Sequence, residues 1–401
     1  MDKSRVALAR CEDYGEARVY AAAKEAIGLL GGMARFVQPS EKILMKPNVL
    51  IGSSPEKYVT THPAVLKAVA RLLQEAGAEV SYGDSPAFGG CEFNMKRAGL
   101  KQAGDELGLT VADFDKGREV SHKTALLNKR FTIANGVLDA DGLISLPKLK
   151  THGITRLTGA VKNQFGCVPG FLKGQFHTRI ADPYDFATML VDLNTLIRPR
   201  LYVMDGIVAM EGNGPRNGKS REMNVLLVST DPIALDATAS RMIGLNPEFV
   251  PTSAPGELSG LGTYHSENIE IVGDPFESFV VHDFDVTRQP PMKATAGFIR
   301  TLLRDTIVSR PVIDLARCTS CGTCIKMCPV GPSAIDWMQH EAGKAPGHNY
   351  RHCIRCYCCQ ELCPEGAITI HNPMVAQIDL PKLMDLAQHR IKSCFYTGST
   401  P

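Results

Sequence analysis

Two runs decide the fold: KILMKPNVL, residues 42–50, and PAVLKAVARLLQEAGAEVSYGDSP, residues 63–86. The first opens with the short apolar run Ile43-Leu44-Met45, of strand length. In the second, Pro63 occupies the first turn of a helix, Gly77 lies past its end, and EVSYGD follows as another strand. This strand–helix–strand unit repeats outward. SRVALAR (4–10) and ARVYAAAKEAIGLLGGM (17–33) precede it as strand and helix. DGLISLPK (141–148), LYVMDGI (201–207), MNVLLVSTD (223–231) and ENIEIVGD (267–274) follow as strands, with a helix IALDATASRMIG (233–244) before the last. Units of this kind predict an α/β fold, a mostly parallel sheet with helices on both faces.

The chain of 401 residues is too long for one ordinary domain. With 44 Lys and Arg against 42 Asp and Glu, it has no electrostatic footprint for nucleic acid or an anionic membrane. There is no apolar run of spanning length and no apolar core of a signal peptide at the N-terminus, so a soluble, cytoplasmic protein is expected. The 13 cysteines are clustered: nine lie from Cys318 to Cys363, and only Cys11, Cys91, Cys167 and Cys394 fall outside. A disulfide scaffold distributes its cysteines; a cluster of them points to metal. The expected organisation is an α/β domain over 1–285, a linker and helix over 286–309, a small ferredoxin-like α+β domain over 310–372, and a helical tail over 373–401.

Cys318-x2-Cys321-x2-Cys324-x3-Cys328-Pro329 recurs 35 residues later as Cys353-x2-Cys356-x2-Cys359-x3-Cys363-Pro364. This is the spacing of bacterial two-cluster ferredoxins, in which the fourth cysteine of each run serves the other cluster. Zinc ribbons use two separated CxxC pairs instead. One [4Fe–4S] cluster is therefore assigned to Cys318, Cys321, Cys324 and Cys363, and a second to Cys353, Cys356, Cys359 and Cys328. Cys358 would give the wrong spacing and is expected as a neighbour, not a ligand.

In open α/β sheets, ligands bind beyond the carboxyl ends of the strands. The predicted strands end in Lys46-Pro47-Asn48, Asp84-Ser85, Asp205-Gly206, Thr230-Asp231 and Pro147-Lys148-Leu149-Lys150-Thr151-His152. Two Gly-rich loops join them: Thr158–Gly166 with Val168-Pro169-Gly170, and Ala209–Pro215. Lys162 is the one charge of its loop. Taken singly, Lys148 and Lys150 also read as solvated lysines, Asp84 and Asp205 as helix caps, and His152 as a structural histidine. Their convergence is what argues for a site. No GxGxxG opens a helix, and Asn213–Ser220 fails as a phosphate loop because it leads into a strand.

These residues resemble a family catalogued as domain of unknown function 362, in its version with a C-terminal ferredoxin domain. The resemblance rests on Met45–Asn48, Thr60–Pro63, Gly83–Pro86, Pro147–His152, Gly159–Asn163, Asp205–Ile207, Glu211–Pro215 and Cys353–Pro364. It implies architecture and site location more than reaction. A fainter similarity joins His152, Lys162 and Pro169-Gly170 to a His…Lys…Pro-Gly loop of lactate racemases, which hold a nickel pincer cofactor; the spacing after the lysine differs here.

Three functions compete. In the first, electrons pass through both clusters from a low-potential partner protein and reduce a small anionic substrate. Lys46, Asn48, Asp84, Ser85, Lys148, Lys150, Asn163, Asp205 and Asn213 would bind it, with Lys162, His152 and Glu211 catalytic. In the second, the protein is an electron-transfer or assembly factor that docks a partner. In the third, it is an enzyme with a metal-organic cofactor and structural clusters.

Overall fold

The computed structural model describes residues 3–170, 172–291, 308–338 and 344–371. The helix expected after residue 291 and the helical tail over 373–401 lie outside the described residues.

The large domain is built on a ten-stranded sheet. Its strands are β1 (Ser4–Arg10), β2 (Lys42–Pro47), β3 (Glu79–Tyr82), β4 (Thr110–Val111), β7 (Gly142–Leu146), β8 (Lys148–His152), β9 (Arg156–Leu157), β10 (Leu201–Glu211), β11 (Lys219–Ser229) and β12 (Ile269–Gly273). Between β4 and β7, a separate hairpin pairs β5 (Gly117–Ser121) with β6 (Arg130–Ala134). The spatial order is β12-β1-β11-β10-β7-β2-β3-β4, with β8 branching from β10 and β9 from β8. β2 is parallel to both β3 and β7, with Met45 opposite Tyr82 and Ile144. Ile43, Leu44 and Met45 are all fully buried, as a central parallel strand covered on both faces requires.

Helices cover both faces. Glu16–Leu29 and Pro63–Glu75 bury Val19, Ile27, Val65, Val69 and Leu73 against one side of the sheet. Pro232–Met242 buries Ala234, Leu235 and Met242 against the other. Helix Pro183–Ile197 closes a third cluster with Phe131, Val161 and Phe165. The sheet is thus mostly parallel, as the alternating pattern predicts.

One expectation fails. β11 runs antiparallel to both β1 and β10, so its end, Ser229-Thr230-Asp231, emerges where the parallel strands begin. Asp231 is a helix cap: its carboxylate accepts from the backbone N–H of Ile233 and Ala234, at 2.8 Å each, and from Ser4 Oγ at 2.6 Å. It is absent from the edge where the other strand ends gather.

The cysteine-rich region forms two short antiparallel pairs, β13 (Arg310–Ile313) with β16 (Ile368–His371) and β14 (Ile335–Trp337) with β15 (Pro346–His348). Two short helices, Thr323–Lys326 and Cys358–Leu362, complete it. The loop after β10 fastens this region to the sheet. Gln360 Nε2 donates to Asn213 O at 3.2 Å, Asn213 Oδ1 at 2.6 Å and Gly214 O at 3.1 Å. Arg216 donates to Leu362 O and Asn217 to Cys363 O. Tyr357 and Ile370 pack into the large domain's third cluster.

Candidate functional site at the sheet edge

β2 delivers Lys46 and Asn48. Lys46 Nζ lies 2.7 Å from Asp84 Oδ1, with both side chains buried. Asp84 Oδ2 accepts from Val49 N–H at 2.8 Å. Gly166 must stay bare beside this pair, since a Cβ there would sit 1.8 Å from Asp84 Oδ1 and 2.7 Å from Lys46 Nζ. Lys46 Nζ also donates to Asn163 Oδ1 at 3.2 Å, and Asn48 Nδ2 donates to the same oxygen at 3.1 Å.

β8 places Lys148, Lys150 and His152 on one side by the strand's two-residue period. All three are buried; the loop lysines of the sequence reading are strand residues. Lys148 Nζ pairs with Asp205 Oδ2 at 2.8 Å and donates to Tyr14 Oη at 2.8 Å. Asp205 further accepts from Tyr14 O–H at 2.9 Å and His62 N–H at 3.0 Å. This is a closed internal network. Lys150 Nζ donates to Val59 O at 2.7 Å. Burial pushes Lys150 well below the usual lysine range, and the neighbouring ammonium groups of Lys162 and Lys148 add to that.

Lys162 is held by a helix start. Gly159 has φ +66° and a Cβ on it would meet Asp236 Oδ1 at 2.2 Å. Asp236 accepts from Ala160 N–H at 2.6 Å and Val161 N–H at 3.1 Å, which fixes the turn that carries Lys162. Among the described residues, Lys162 Nζ has no hydrogen-bond acceptor. Burial lowers its pKa; Glu361 and Cys358 oppose that.

A cavity of about 340 Å³ opens between this edge and the cysteine-rich region. Of the residues singled out from the sequence, Asn48, Asp84, Ser85, Lys150, Lys162 and Asn163 line it from the large domain, and Cys328 lines it from the other side. Lys46 lies behind Asp84. Four expected site residues are elsewhere. Lys148 and Asp205 close on each other, Glu211 accepts from Asp285 N–H at 3.1 Å, and Asn213 fastens Gln360. His152 stands behind the wall. Its Nδ1 accepts from Ile154 N–H at 3.1 Å, which leaves the ring proton of the neutral histidine on Nε2, 2.9 Å from Glu361 Oε1. Burial, together with Lys162, pushes His152 down to about 4.

Among the cavity residues that escape the sequence reading are Lys173, His177 and Glu361. Lys173 Nζ sits 2.7 Å from Ser85 Oγ and 2.8 Å from Val168 O, and burial pushes it down to about 7. Its signal was there: like Lys162, it lies between two glycines, Gly170 and Gly174. His177 stacks on Phe186 at 4.6 Å. Glu361 is hidden in the sequence by the cysteines on either side of it. Burial raises its carboxyl, but His152 and Lys162 outweigh that and hold it at about 2.

The thiols fit an iron–sulfur centre. Cys318, Cys321, Cys324 and Cys363 line one small cavity with Gly322 and Thr323, and Cys321 is exposed. Burial raises Cys359, and Cys356, Cys353, Cys324 and Cys328 raise it further, so thiols of both runs lie around it. Sets of soft thiols are the donors that such clusters take. Cys358 lines the large cavity instead.

An iron–sulfur segment packed over the carboxyl edge of an α/β sheet is thus the class that fold and site define. The chain belongs to the family of the domain of unknown function (DUF362), whose model matches residues 43–241, and a 4Fe-4S dicluster domain matches residues 310–364. It is 38% identical over 263 residues to the thylakoid-associated protein sll1697 of Synechocystis sp., covering 65% of this chain and 81% of that one. Over 59 residues it is 36% identical to the uncharacterized ferredoxin MJ0722 of Methanocaldococcus jannaschii, 15% of this chain and 74% of that one. The lactate racemase apoprotein of Thermoanaerobacterium thermosaccharolyticum aligns at TM-score 0.37 and 12% identity, over 58% of this chain and 55% of that one. The C-terminal region is a ferredoxin-like 4Fe-4S domain. Among the described residues, no helix is long and apolar enough to cross a membrane.

Proposed function

We propose that the protein is an iron–sulfur oxidoreductase. A low-potential partner protein delivers electrons, two [4Fe–4S] clusters relay them, and a small anionic substrate in the large cavity is reduced. The clusters take Cys318, Cys321, Cys324 and Cys363, and Cys353, Cys356, Cys359 and Cys328, and supply one-electron steps. One observation carries the reading: the wall opposite Lys162 is made by the cysteine segment itself, with Cys328, Cys358 and Glu361 on the cavity. A cluster held by Cys328 is then adjacent to whatever Lys162 binds. The chain's own groups do the rest. Lys162, which makes no hydrogen bond among the described residues, takes the anion as a compact point charge. Lys173, poised near neutrality, holds a proton at the cavity surface. The cysteine-rich roof restricts water, which strengthens these contacts.

The test is anaerobic. Reconstituted protein, reduced chemically, is mixed with a panel of small oxidised carboxylates and oxyanions while the cluster absorbance is followed. Reoxidation by one class, lost in Lys162→Ala with the resting cluster spectrum intact, is the expected result; Lys162→Arg should not restore it. Two zinc per chain, or reoxidation that ignores Lys162, would refute the reading.

A further inference from the structure

The cavity presents more than positive charge. Asn163 Oδ1 accepts from both Lys46 Nζ and Asn48 Nδ2, while Asn163 Nδ2 donates to Lys46 O at 3.2 Å and Ser145 Oγ at 3.0 Å. These bonds fix the orientation of both amides. Asn48 therefore spends its Nδ2 on Asn163 and leaves its Oδ1 over. That oxygen is buried and has no partner among the described residues. Asn48 as a whole is only 8% exposed. Thr158, 3% exposed and also on the cavity wall, leaves its Oγ1 without a partner too. Native proteins rarely leave buried polar atoms unpaired, and two of them on residues of one cavity wall point to a ligand. Leu50, Ala87, Phe165, Met327 and Leu362 supply an apolar remainder. The volume, about 340 Å³, is at the small end of small-molecule sites.

We infer that the ligand of this cavity is a small carboxylate that also carries an O–H or N–H donor, its charge on Lys162 and its donor on Asn48 Oδ1 and Thr158 Oγ1. This deepens the oxidoreductase reading, since it rests on the same cavity being the substrate chamber. A carboxylate without a donor leaves Asn48 Oδ1, which can only accept, desolvated and unpaired, so the site rejects it.

The experiment uses the reconstituted full chain and matched carboxylate pairs: mandelate and phenylacetate, 3-hydroxybutyrate and butyrate, N-acetylglycine and levulinate. Calorimetry and ligand-observed NMR give the affinities. In at least one pair, the donor-bearing member should bind about tenfold or more tightly than its partner, the size of one buried unpaired polar group. Thr158→Val, which removes an unpaired hydroxyl, should narrow that preference about threefold or more without lowering the melting temperature. Lys162→Met should abolish binding of both members. Equal binding within every pair, a preference that Thr158→Val leaves unchanged, or no binding by any pair would overturn the inference. If these acids bind as expected but none of the oxidised carboxylates and oxyanions of the redox panel reoxidises the reduced clusters, the redox reading falls and the ligand class stands.

Discussion

Asp205→Asn separates a structural network from a binding site. Asp205 and Lys148 have fully buried side chains 2.8 Å apart, and Asp205 also takes O–H and N–H donors from Tyr14 and His62. An asparagine keeps the shape but removes the counter-charge, and one of its two faces becomes an NH2 group turned toward existing donors. Lys148 is already pushed below the usual lysine range by burial, held up chiefly by Asp205. Breaking such a buried pair costs about 3–5 kcal/mol, against about 5–15 kcal/mol for a whole domain. The assay is guanidinium unfolding of the reconstituted protein, with far-UV circular dichroism reporting mainly the large domain. The single tryptophan, Trp337, lies in β14 and reports the cysteine-rich region separately. The circular dichroism midpoint should fall by the equivalent of about 3 kcal/mol or more, with carboxylate affinity at the cavity retained by the folded fraction. A cost below about 1 kcal/mol together with lost carboxylate binding would refute the reasoning and return Lys148 and Asp205 to the substrate site.

The remaining outcomes concern charge, docking and ligands. Lys173, at about 7 in the fold against 10.5 for the free side chain, binds a proton in the unfolded chain but not in the native one between those values, so its contribution to stability rises with pH there. Lys173→Met should therefore gain most over the wild type below pH 7, with the advantage shrinking toward pH 10; a gap that does not vary with pH would place Lys173 in solvent. Gln360→Ala removes three hydrogen bonds to the Asn213-Gly214 loop, and limited proteolysis should cut between the two regions faster than in the wild type; an unchanged rate would show that the loop is not what fastens them. Cys363→Ser should lower bound iron by about half after reconstitution, whereas Cys358→Ser should leave it unchanged; loss of iron in the second variant would shift the ligand register.

The sheet was legible because its strands are short apolar runs set off by caps and breakers, as at Ile43–Met45, Pro63 and Gly77. The direction of β11 was not: MNVLLVS buries its residues equally well in either orientation, so its pattern carries no sign, and Asp231 was put at the wrong end. At the site, residues that follow strands by one to three positions, Asn48, Asp84 and Ser85, were found by the edge rule. Lys148 and Lys150 lie on the same strand with the same pattern, yet one faces Asp205 and the other the cavity. That difference is made by Tyr14, Tyr58 and His62, which stack near Lys148 from far along the chain. Glu361 and Asn213 needed the docking of two regions, a long-range fact that spacing within either region does not encode.

The roof of the cavity has a consequence for how the protein comes into being. Gln360, Glu361 and Leu362 belong to the same five-residue helix as Cys359, one of the thiols of the duplicated runs, and that helix both grips the Asn213 loop and walls the chamber. Synthesis proceeds from the N-terminus, so the lysine-rich edge is made first and waits without its roof. Only when the late segment folds around its inorganic core and settles does that edge become the wall of an enclosed cavity. Maturation of the metal centre and maturation of the binding chamber are then one event, and a chain starved of iron would be silent at both.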